Sequence, residues 1–230
     1  MPIPKILVFA GSIRNGSFNA QLAALAAREL ALAGAEVTYI SLADYPMPIY
    51  DSNEEAKSGQ PANAMKLKQM MMVHHGVFLA SPEYNASVTP LMKNTLDWVS
   101  RVREGREPSL AAFRNRVFAL GGASNGNFGA MRSVMALRQV LELGCGALVL
   151  PDQITVMRAA DAFDDEAAHR SRAQGNSLRF SVLARKSETR PIRPMTMMPK
   201  MIWPVARSAW LSTIMWPMPE LEPISSATMT

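Results

Sequence analysis

Cysteine is almost absent from this chain of 230 residues, which contains a single one, Cys145. One cysteine excludes a disulfide framework and a metal cluster built on cysteine ligands. No run of 18 apolar residues occurs, so the sequence predicts no membrane-spanning helix. The N-terminal apolar run has no basic region ahead of it. It therefore predicts a strand and not a signal peptide, and a cytoplasmic location is the expectation.

The first 166 residues also lack a charge imbalance, since they hold 15 basic and 16 acidic side chains. A nearly neutral body argues against nucleic acid as a partner. The last 64 residues differ, with 9 basic and 3 acidic side chains, 7 of the 16 prolines and 1 of the 13 glycines. We therefore predict a folded domain over residues 1–166 and an atypical, poorly ordered tail rich in Pro, Met and Trp over residues 167–230.

The tail has three interpretations. It is a basic, aromatic arm for an anionic lipid or a partner, an exposed disordered extension, or the product of a shifted reading frame that replaces a last helix. A five-stranded sheet needs such a helix to cover one face, yet the segment after Glu166 has no continuous apolar stripe. The abrupt change in composition favours the shifted reading frame.

Short apolar runs alternate with helix-forming segments along the body. The predicted strands are Ile3–Ala10, Glu36–Ser41, Gly76–Ser81, Arg116–Gly121 and Ala147–Leu150. The predicted helices are Asn19–Ala33, Ala62–His75, Pro90–Ser100 and Ala130–Leu143. Ser17 is a suitable N-cap for the first helix, Gly34 a suitable C-terminal glycine, and Pro151 is expected to stop the last strand. Repeated βα units predict an α/β fold, a parallel sheet with helices on both faces and ligands at the carboxyl ends of its strands.

The segment after the first strand has the composition of a phosphate site. Ser12, Ser17 and Asn19 offer hydroxyl and amide donors, and Arg14 offers a fixed positive charge. Backbone N–H groups at the start of the following helix can also point at an anion. The segment lacks the Gly-x-x-x-x-Gly-Lys-Ser/Thr pattern of a nucleoside triphosphatase. It also lacks the Gly-x-Gly-x-x-Gly pattern of a classical dinucleotide-binding fold. The alternative is a polar turn in which Ser17 is an ordinary helix cap.

Two more loops follow the third and fourth strands. The loop Ser81–Pro90 offers an aromatic ring, an amide and free backbone N–H groups, which a flat heterocycle requires. The loop Gly122–Gly129 is rich in glycine and lets the backbone approach a planar ligand. Taken alone, the first is equally a turn held by two prolines, and the second is a common kind of loop.

Taken together, the three segments resemble the NADPH-dependent FMN reductases, a flavodoxin-like family that includes quinone, chromate and azo-dye reductases. The motifs are GSIRNGSFN, SPEYNASVTPLMKNTLDW and the glycine-rich loop, and the resemblance covers about residues 3–160. It implies a three-layer sandwich with strand order 2-1-3-4-5, FMN as cofactor and NADPH or NADH as co-substrate. It also implies a homodimer or homotetramer, with Glu83 and the helix near Trp98 at the subunit contact.

The resemblance further implies the residues that contact the flavin. Those for the FMN phosphate are Ser12, Arg14, Ser17 and Asn19. Those along the flavin ring are Pro82, Glu83, Tyr84 and Asn85, with Ser124 and Gly126 flanking it from the fourth-strand loop. An alternative role for Arg14 is to favour the extra phosphate of NADPH over NADH. The family often has paired glycines in the fourth-strand loop, where this chain has Gly129 followed by Ala130.

The implied function is a reduction in two steps. NADPH or NADH passes a hydride to FMN, and the reduced flavin then reduces a quinone-like, azo or other small acceptor. Because the cofactor carries the chemistry, we expect no side-chain nucleophile, no essential general base and no metal. One alternative is a non-catalytic flavin-binding electron carrier or redox-responsive binding protein, and a weaker one is a body whose tail abolishes flavin binding. Flavodoxin carriers are usually strongly acidic, so the neutral body favours the enzyme.

Three other reactive side chains are expected to be structural. His74 and His75 end a predicted helix and have no further metal ligands nearby in the sequence. Cys145 stands between two glycines ahead of the last strand. Buried cysteines usually behave as small apolar side chains, so Cys145 is predicted to pack and not to react.

Overall fold

The computed structural model describes residues 3–163, which contain five strands and six α-helices. The strands are β1 Lys5–Ala10, β2 Glu36–Tyr39, β3 Gly76–Ala80, β4 Val117–Ala123 and β5 Leu148–Val156. The helices are α1 Phe18–Leu32, α2 Ser52–Ser58, α3 Ala62–Val73, α4 Pro90–Arg101, α5 Met131–Gln139 and α6 Ala159–Ala162. A π-helical segment, Val140–Gly144, extends α5. The predicted boundary near residue 166 and the tail lie outside the described residues.

All neighbouring strands are parallel, in the order β2-β1-β3-β4-β5. This order confirms the flavodoxin-like fold that the motifs implied. Different helices pack on the two faces of the sheet: Leu22 and Leu30 of α1 belong to one core. Leu67 of α3, Leu96 of α4 and Leu137 of α5 belong to the other. Every residue of β3 is buried because both faces of this strand are covered, which explains its continuous apolar sequence.

Local sequence signals fix the ends of the helices beside the candidate site. Ser17 caps α1, and Gly34 follows its end with a left-handed φ of +92°. Thr89 caps α4, whose first residue, Pro90, has no N–H to leave unpaired. Both predicted helix starts are therefore confirmed to within one residue.

The prediction that the last strand stops at Pro151 is wrong. β5 continues through Pro151 to Val156. Its pairing with β4 is irregular, because Phe118 lies opposite Val149 while Leu120 lies opposite Gln153. Pro151 falls inside this irregularity, where the missing N–H breaks no regular ladder bond. The longer strand carries the chain up to the loop that follows β4.

The Trp98 side chain lies inside the protein. Its side chain is 1% exposed, and its Nε1 donates a hydrogen bond to Pro48 O at 2.8 Å. The ring of Tyr50 meets it edge to face, with ring centroids 5.0 Å apart. The subunit contact expected at Glu83 and the helix near Trp98 is not tested by this burial. The predicted homodimer or homotetramer stays a prediction.

The two histidines are hydrogen-bonded within the fold, and Cys145 is buried. His74 Nε2 lies 2.8 Å from Thr38 Oγ1, and His75 Nδ1 accepts a hydrogen bond from Lys5 N at 2.9 Å. Cys145 is 5% exposed. Across residues 3–163, no cluster of three potential metal-binding side chains occurs. Within the same range, no helix is long and apolar enough to cross a membrane.

The thiol of Cys145 is expected to be unreactive in the folded protein. Burial raises its pKa to about 11, which lowers its thiolate fraction at pH 8 about 100-fold below that of an ordinary cysteine. We expect iodoacetamide to label native Cys145 at pH 8 at least about 100-fold more slowly than it labels the protein in denaturing urea. Similar rates under the two conditions would contradict this placement of the thiol.

Candidate functional site

Three loops meet at one edge of the sheet because they follow strands that are neighbours. They are the phosphate-type loop of residues 11–17 after β1, the loop of residues 81–89 after β3 and the loop of residues 124–130 after β4. Backbone hydrogen bonds tie the loops to neighbouring strands: Gly11 N donates to Ala80 O of β3 at 2.9 Å, and Ser81 N donates to Gly121 O of β4 at 2.8 Å. The three sequence motifs therefore form one surface at the carboxyl ends of the strands, as predicted.

The loop after β1 presents donors that have no hydrogen-bond partner among the described residues. They are the backbone N–H groups of Ser12, Ile13, Asn15, Gly16, Phe18 and Asn19. The hydroxyl of Ser17 accepts a hydrogen bond from Ala20 N at 3.4 Å and keeps its own proton to donate. Arg14 is exposed, donates to Gly16 O at 3.3 Å and pairs with no carboxylate within residues 3–163. These groups surround the N-terminus of α1, where the helix dipole also favours an anion.

Asn19 is engaged with another strand. Its Nδ2 donates to Ala123 O at 2.8 Å, and its Oδ1 accepts from Ala123 N at 2.9 Å. The side chain is 4% exposed. Asn19 therefore ties α1 to the end of β4, and one hydrogen on Nδ2 is the only amide donor it has left for a ligand. This structural role was not predicted, because the two residues are 104 positions apart in the sequence.

The loop after β3 contains a tight turn. Tyr84 N donates to Ser87 O, and Ser87 N donates to Tyr84 O, both at 3.0 Å. The two residues between them, Asn85 and Ala86, have left-handed φ values of +49° and +62°. Such a pair is typical of a type I′ turn, which is unusual for alanine. The turn leaves the Tyr84 ring 52% exposed and the N–H groups of Asn85 and Ala86 without partners among the described residues.

Glu83, beside this turn, points at α5. Its Oε2 accepts hydrogen bonds from Arg132 N at 3.1 Å and Ser133 N at 3.4 Å. Its Oε1 accepts from Arg132 Nε at 2.7 Å and also from Nη2 of the same guanidinium. Both carboxylate oxygens are therefore used within the protein. Glu83 lies in the predicted loop, but its carboxylate caps a helix.

The loop after β4 is held from two sides. Ser124 Oγ accepts from Ala130 N at 3.2 Å, and Ser124 O accepts from Ala159 N at 3.1 Å. Gly126 lies exposed at the tip. Gly129 has a φ of +54°, and a Cβ there would stand 2.9 Å from the backbone of Val156. Ala130 follows with a φ of +62°, so alanine adopts the conformation that favours glycine.

Sequence reasoning missed two polar residues that support these loops. Thr89 Oγ1 donates to Gly11 O at 2.8 Å and accepts from Met92 N at 3.2 Å, which joins the first two loops. Ser133 is fully buried, and its Oγ donates to Pro82 O at 2.7 Å. The Thr-Pro pair before α4 is a helix-start signal that could have identified Thr89. Nothing in the sequence around Ser133 indicates its contact with a loop about 50 residues earlier.

The sheet and its loops define the class of the protein. It is a flavodoxin-like α/β protein whose candidate ligand site lies at the carboxyl edge of β1, β3 and β4. A model of the family described as NADPH-dependent FMN reductase matches residues 4–161, more than half of the chain. The chain belongs to this family. Its class is therefore that of the flavin-dependent oxidoreductases, with FMN and NAD(P)H as the cofactors of the family, and the family predicted from the three motifs is confirmed.

Individual relatives agree with this assignment. A quinone reductase of Escherichia coli (strain K12) is 33% identical over 138 residues, which is 60% of this chain and 69% of that protein. An NAD(P)H-dependent FMN reductase of Pseudomonas aeruginosa is 32% identical over 162 residues, or 70% of this chain and 81% of that protein. The solved structure of a flavoenzyme NAD(P)H:(acceptor) oxidoreductase from Paracoccus denitrificans superposes on this chain with a TM-score of 0.62 at 22% identity. The match covers 80% of this chain and 99% of that protein. This last likeness concerns the fold.

Proposed function

We propose that FMN binds across the three loops with its phosphate at the N-terminus of α1. One observation carries this proposal: α1 is the helix at this edge whose first N–H groups have no partner among the described residues and stand beside Arg14, which has no carboxylate partner within residues 3–163. The N-terminus of α5 is already filled by the carboxylate of Glu83. The N-terminus of α4 begins with Pro90, and the Thr89 hydroxyl there is fully engaged. The phosphate ligands are then Ser12, Arg14 and Ser17, with the remaining amide hydrogen of Asn19.

The flavin ring is proposed to lie between the second and third loops. Tyr84 and Asn85 form one side, with Pro82 buried beside them. The exposed Tyr84 ring and the N–H groups of the turn that have no partner within residues 3–163 suit a flat heterocycle with polar edges. Ser124 and Gly126 form the other side, where the exposed glycine leaves room for the ring. Glu83 acts in this arrangement through its backbone position, since its carboxylate oxygens are occupied by α5.

FMN, when bound there, supplies the chemistry of hydride acceptance and electron donation. The protein contributes binding and orientation. Across the three loops, Glu83 is the only acidic side chain, and there is no histidine, lysine or cysteine. Because Glu83 is paired with Arg132, these loops hold no free general base. Tyr84 and Asn85, both exposed, are the residues that face NADPH or NADH and then the acceptor.

The acceptor is proposed to be a quinone-like, azo or other small electron acceptor. The quinone reductase of Escherichia coli supports the quinone-like class. Assembly as a homodimer or homotetramer is proposed as well. The support for assembly is an apolar surface on α5 and the loop before it, where Phe128 and Met135 are 55% and 58% exposed. A cytoplasmic location stays the expectation from the sequence.

Visible absorption tests this function directly. The purified chain is incubated with FMN, passed through gel filtration to remove free flavin, and mixed with NADPH without oxygen. We expect retained yellow flavin that NADPH bleaches and that a quinone restores, with the filtration volume reporting the assembly. Retained flavin that neither NADPH nor NADH bleaches would contradict the enzyme and favour an electron carrier. A colourless protein would contradict the flavin site.

A further inference from the structure

Glu83 links the turn of the second loop to the first turn of α5. Its side chain is 9% exposed, and two backbone N–H groups and the Arg132 guanidinium donate to it. A carboxylate that accepts N–H groups at a helix N-terminus is stabilised by the helix dipole and by charge-assisted hydrogen bonds. This carboxylate therefore has one well-defined position relative to α5.

Ser133 adds hydrogen bonds to the same link between the second loop and α5. Its buried Oγ donates to Pro82 O at 2.7 Å and lies 2.8 Å from Ser81 Oγ. Three consecutive loop residues, Ser81, Pro82 and Glu83, are thus all joined to α5 within its first turn. The guanidinium of Arg132 also stands 5.0 Å from the ring centroid of Phe128, which connects the third loop to the same group.

The turn that follows needs such an anchor. Asn85 and Ala86 both have left-handed φ values, and that region is strained for alanine. Strained residues of this kind persist where the surrounding structure determines their conformation. The turn is held on its C-terminal side by Thr89, through Gly11. On its N-terminal side it is held by Glu83.

We propose that Glu83 is a positioning residue, whose carboxylate, held by Arg132 and Ser133 at the N-terminus of α5, fixes the Tyr84–Ser87 turn for the flavin ring. The flavin part of this statement rests on the proposed function. Glu83 touches neither FMN nor substrate through its carboxylate in this role. Its loss displaces the turn and weakens binding of the ring, while the phosphate ligands at α1 are unaffected.

A matched pair of variants tests this role in the full chain. Glu83→Gln keeps the size of the side chain but removes its charge and places an amide N–H₂ against the donors of α5. Glu55→Gln is the control. Glu55 pairs with Arg101, the last residue of α4, and the side chains of this pair are about as exposed as those of Glu83 and Arg132. The carboxylate and guanidinium side chains are 12% and 53% exposed in that pair, against 9% and 51% for Glu83 and Arg132.

Two readouts are needed. The first is amide hydrogen exchange of the flavin-free proteins. We expect E83Q, and not E55Q, to exchange about 10-fold faster at the Tyr84 and Ser87 amides, whose hydrogen bonds close the turn. The second is the dissociation constant for FMN and for riboflavin, which lacks the phosphate, measured by quenching of flavin fluorescence. We expect E83Q to bind both flavins about 10-fold more weakly, since a displaced ring contact affects them equally.

The outcomes separate this proposal from the function it rests on. Wild-type exchange in E83Q, or wild-type affinity for both flavins, would overturn the positioning role. Weaker binding of FMN alone would also overturn it, because that result places Glu83 at the phosphate. If the wild-type chain binds neither flavin, the proposed function fails, while the exchange data still decide whether Glu83 fixes the turn. If E83Q does not fold, Ser133→Ala is expected to show the same faster exchange at the Tyr84 and Ser87 amides.

Discussion

Replacing Asn19 with leucine is expected to lower the free energy of unfolding by about 4 kcal/mol. The variant loses two hydrogen bonds, of 2.8 and 2.9 Å, that join α1 to the backbone of Ala123. Ala123 is buried, so its N–H and C=O would both remain without a partner in a region that water does not reach. Urea denaturation followed by circular dichroism measures the loss as a lower midpoint with an unchanged slope.

Asn63→Leu is the matched control for that measurement. Asn63 also donates a side-chain hydrogen bond to a backbone carbonyl, Pro46 O, at 2.9 Å, but the bond is exposed. Water can replace the lost partner there, so a cost below about 1 kcal/mol is expected. Equal costs in the two variants would contradict a buried structural role for Asn19. Asn19→Leu is also expected to impair flavin binding, because the amide aligns the first and third loops.

Replacing Arg14 with glutamine is expected to weaken FMN binding about 50-fold and to leave riboflavin binding unchanged. Arg14 is exposed and has no carboxylate partner within residues 3–163, so its charge is available to an anion. Riboflavin has no phosphate and does not use that charge. Fluorescence quenching with the two flavins measures the difference in affinity. Arg28→Gln is the control, because Arg28 is exposed on α1, the helix that follows the Arg14 loop, and pairs with Glu29.

The same variant separates the two roles that the sequence left open for Arg14. If Arg14 selects the extra phosphate of NADPH, R14Q raises the KM for NADPH and not the KM for NADH, with normal FMN affinity. If it holds the FMN phosphate, the loss appears in FMN affinity with either coenzyme. Losses of equal size for FMN and riboflavin would contradict both roles.

Most of the fold could be predicted from the sequence, because the signals for its strands and helix ends are local. The buried strand β3 is a continuous apolar run, Ser17 caps α1, and Pro90 begins α4. The short helices α2 and α6 were not predicted, and the length of β5 was predicted wrongly. Pro151 is normally a reason to end a strand, but a register irregularity at the edge of the sheet accommodates it. Such an irregularity depends on the partner strand and leaves no mark in the sequence of β5.

The candidate site was predictable in its location and less so in its details. The three motifs indicated which loops meet, since loops after neighbouring parallel strands share an edge. They did not indicate that the amide of Asn19 binds β4, or that the carboxylate of Glu83 caps α5. Both contacts join residues about 50 or more positions apart, and polar side chains of this kind suit ligand binding and structural bonding equally well.

Both edges of the sheet are poorly suited to recruiting further strands. β2, at one edge, is only four residues long, and β5, at the other, is interrupted around Pro151. A short strand, or one broken by proline, offers an incomplete row of N–H and C=O groups to a second chain, which hinders edge-to-edge aggregation. Within residues 3–163, copies of this protein therefore have helical surfaces to associate through, and the parallel sheet has little opportunity to grow into a fibril.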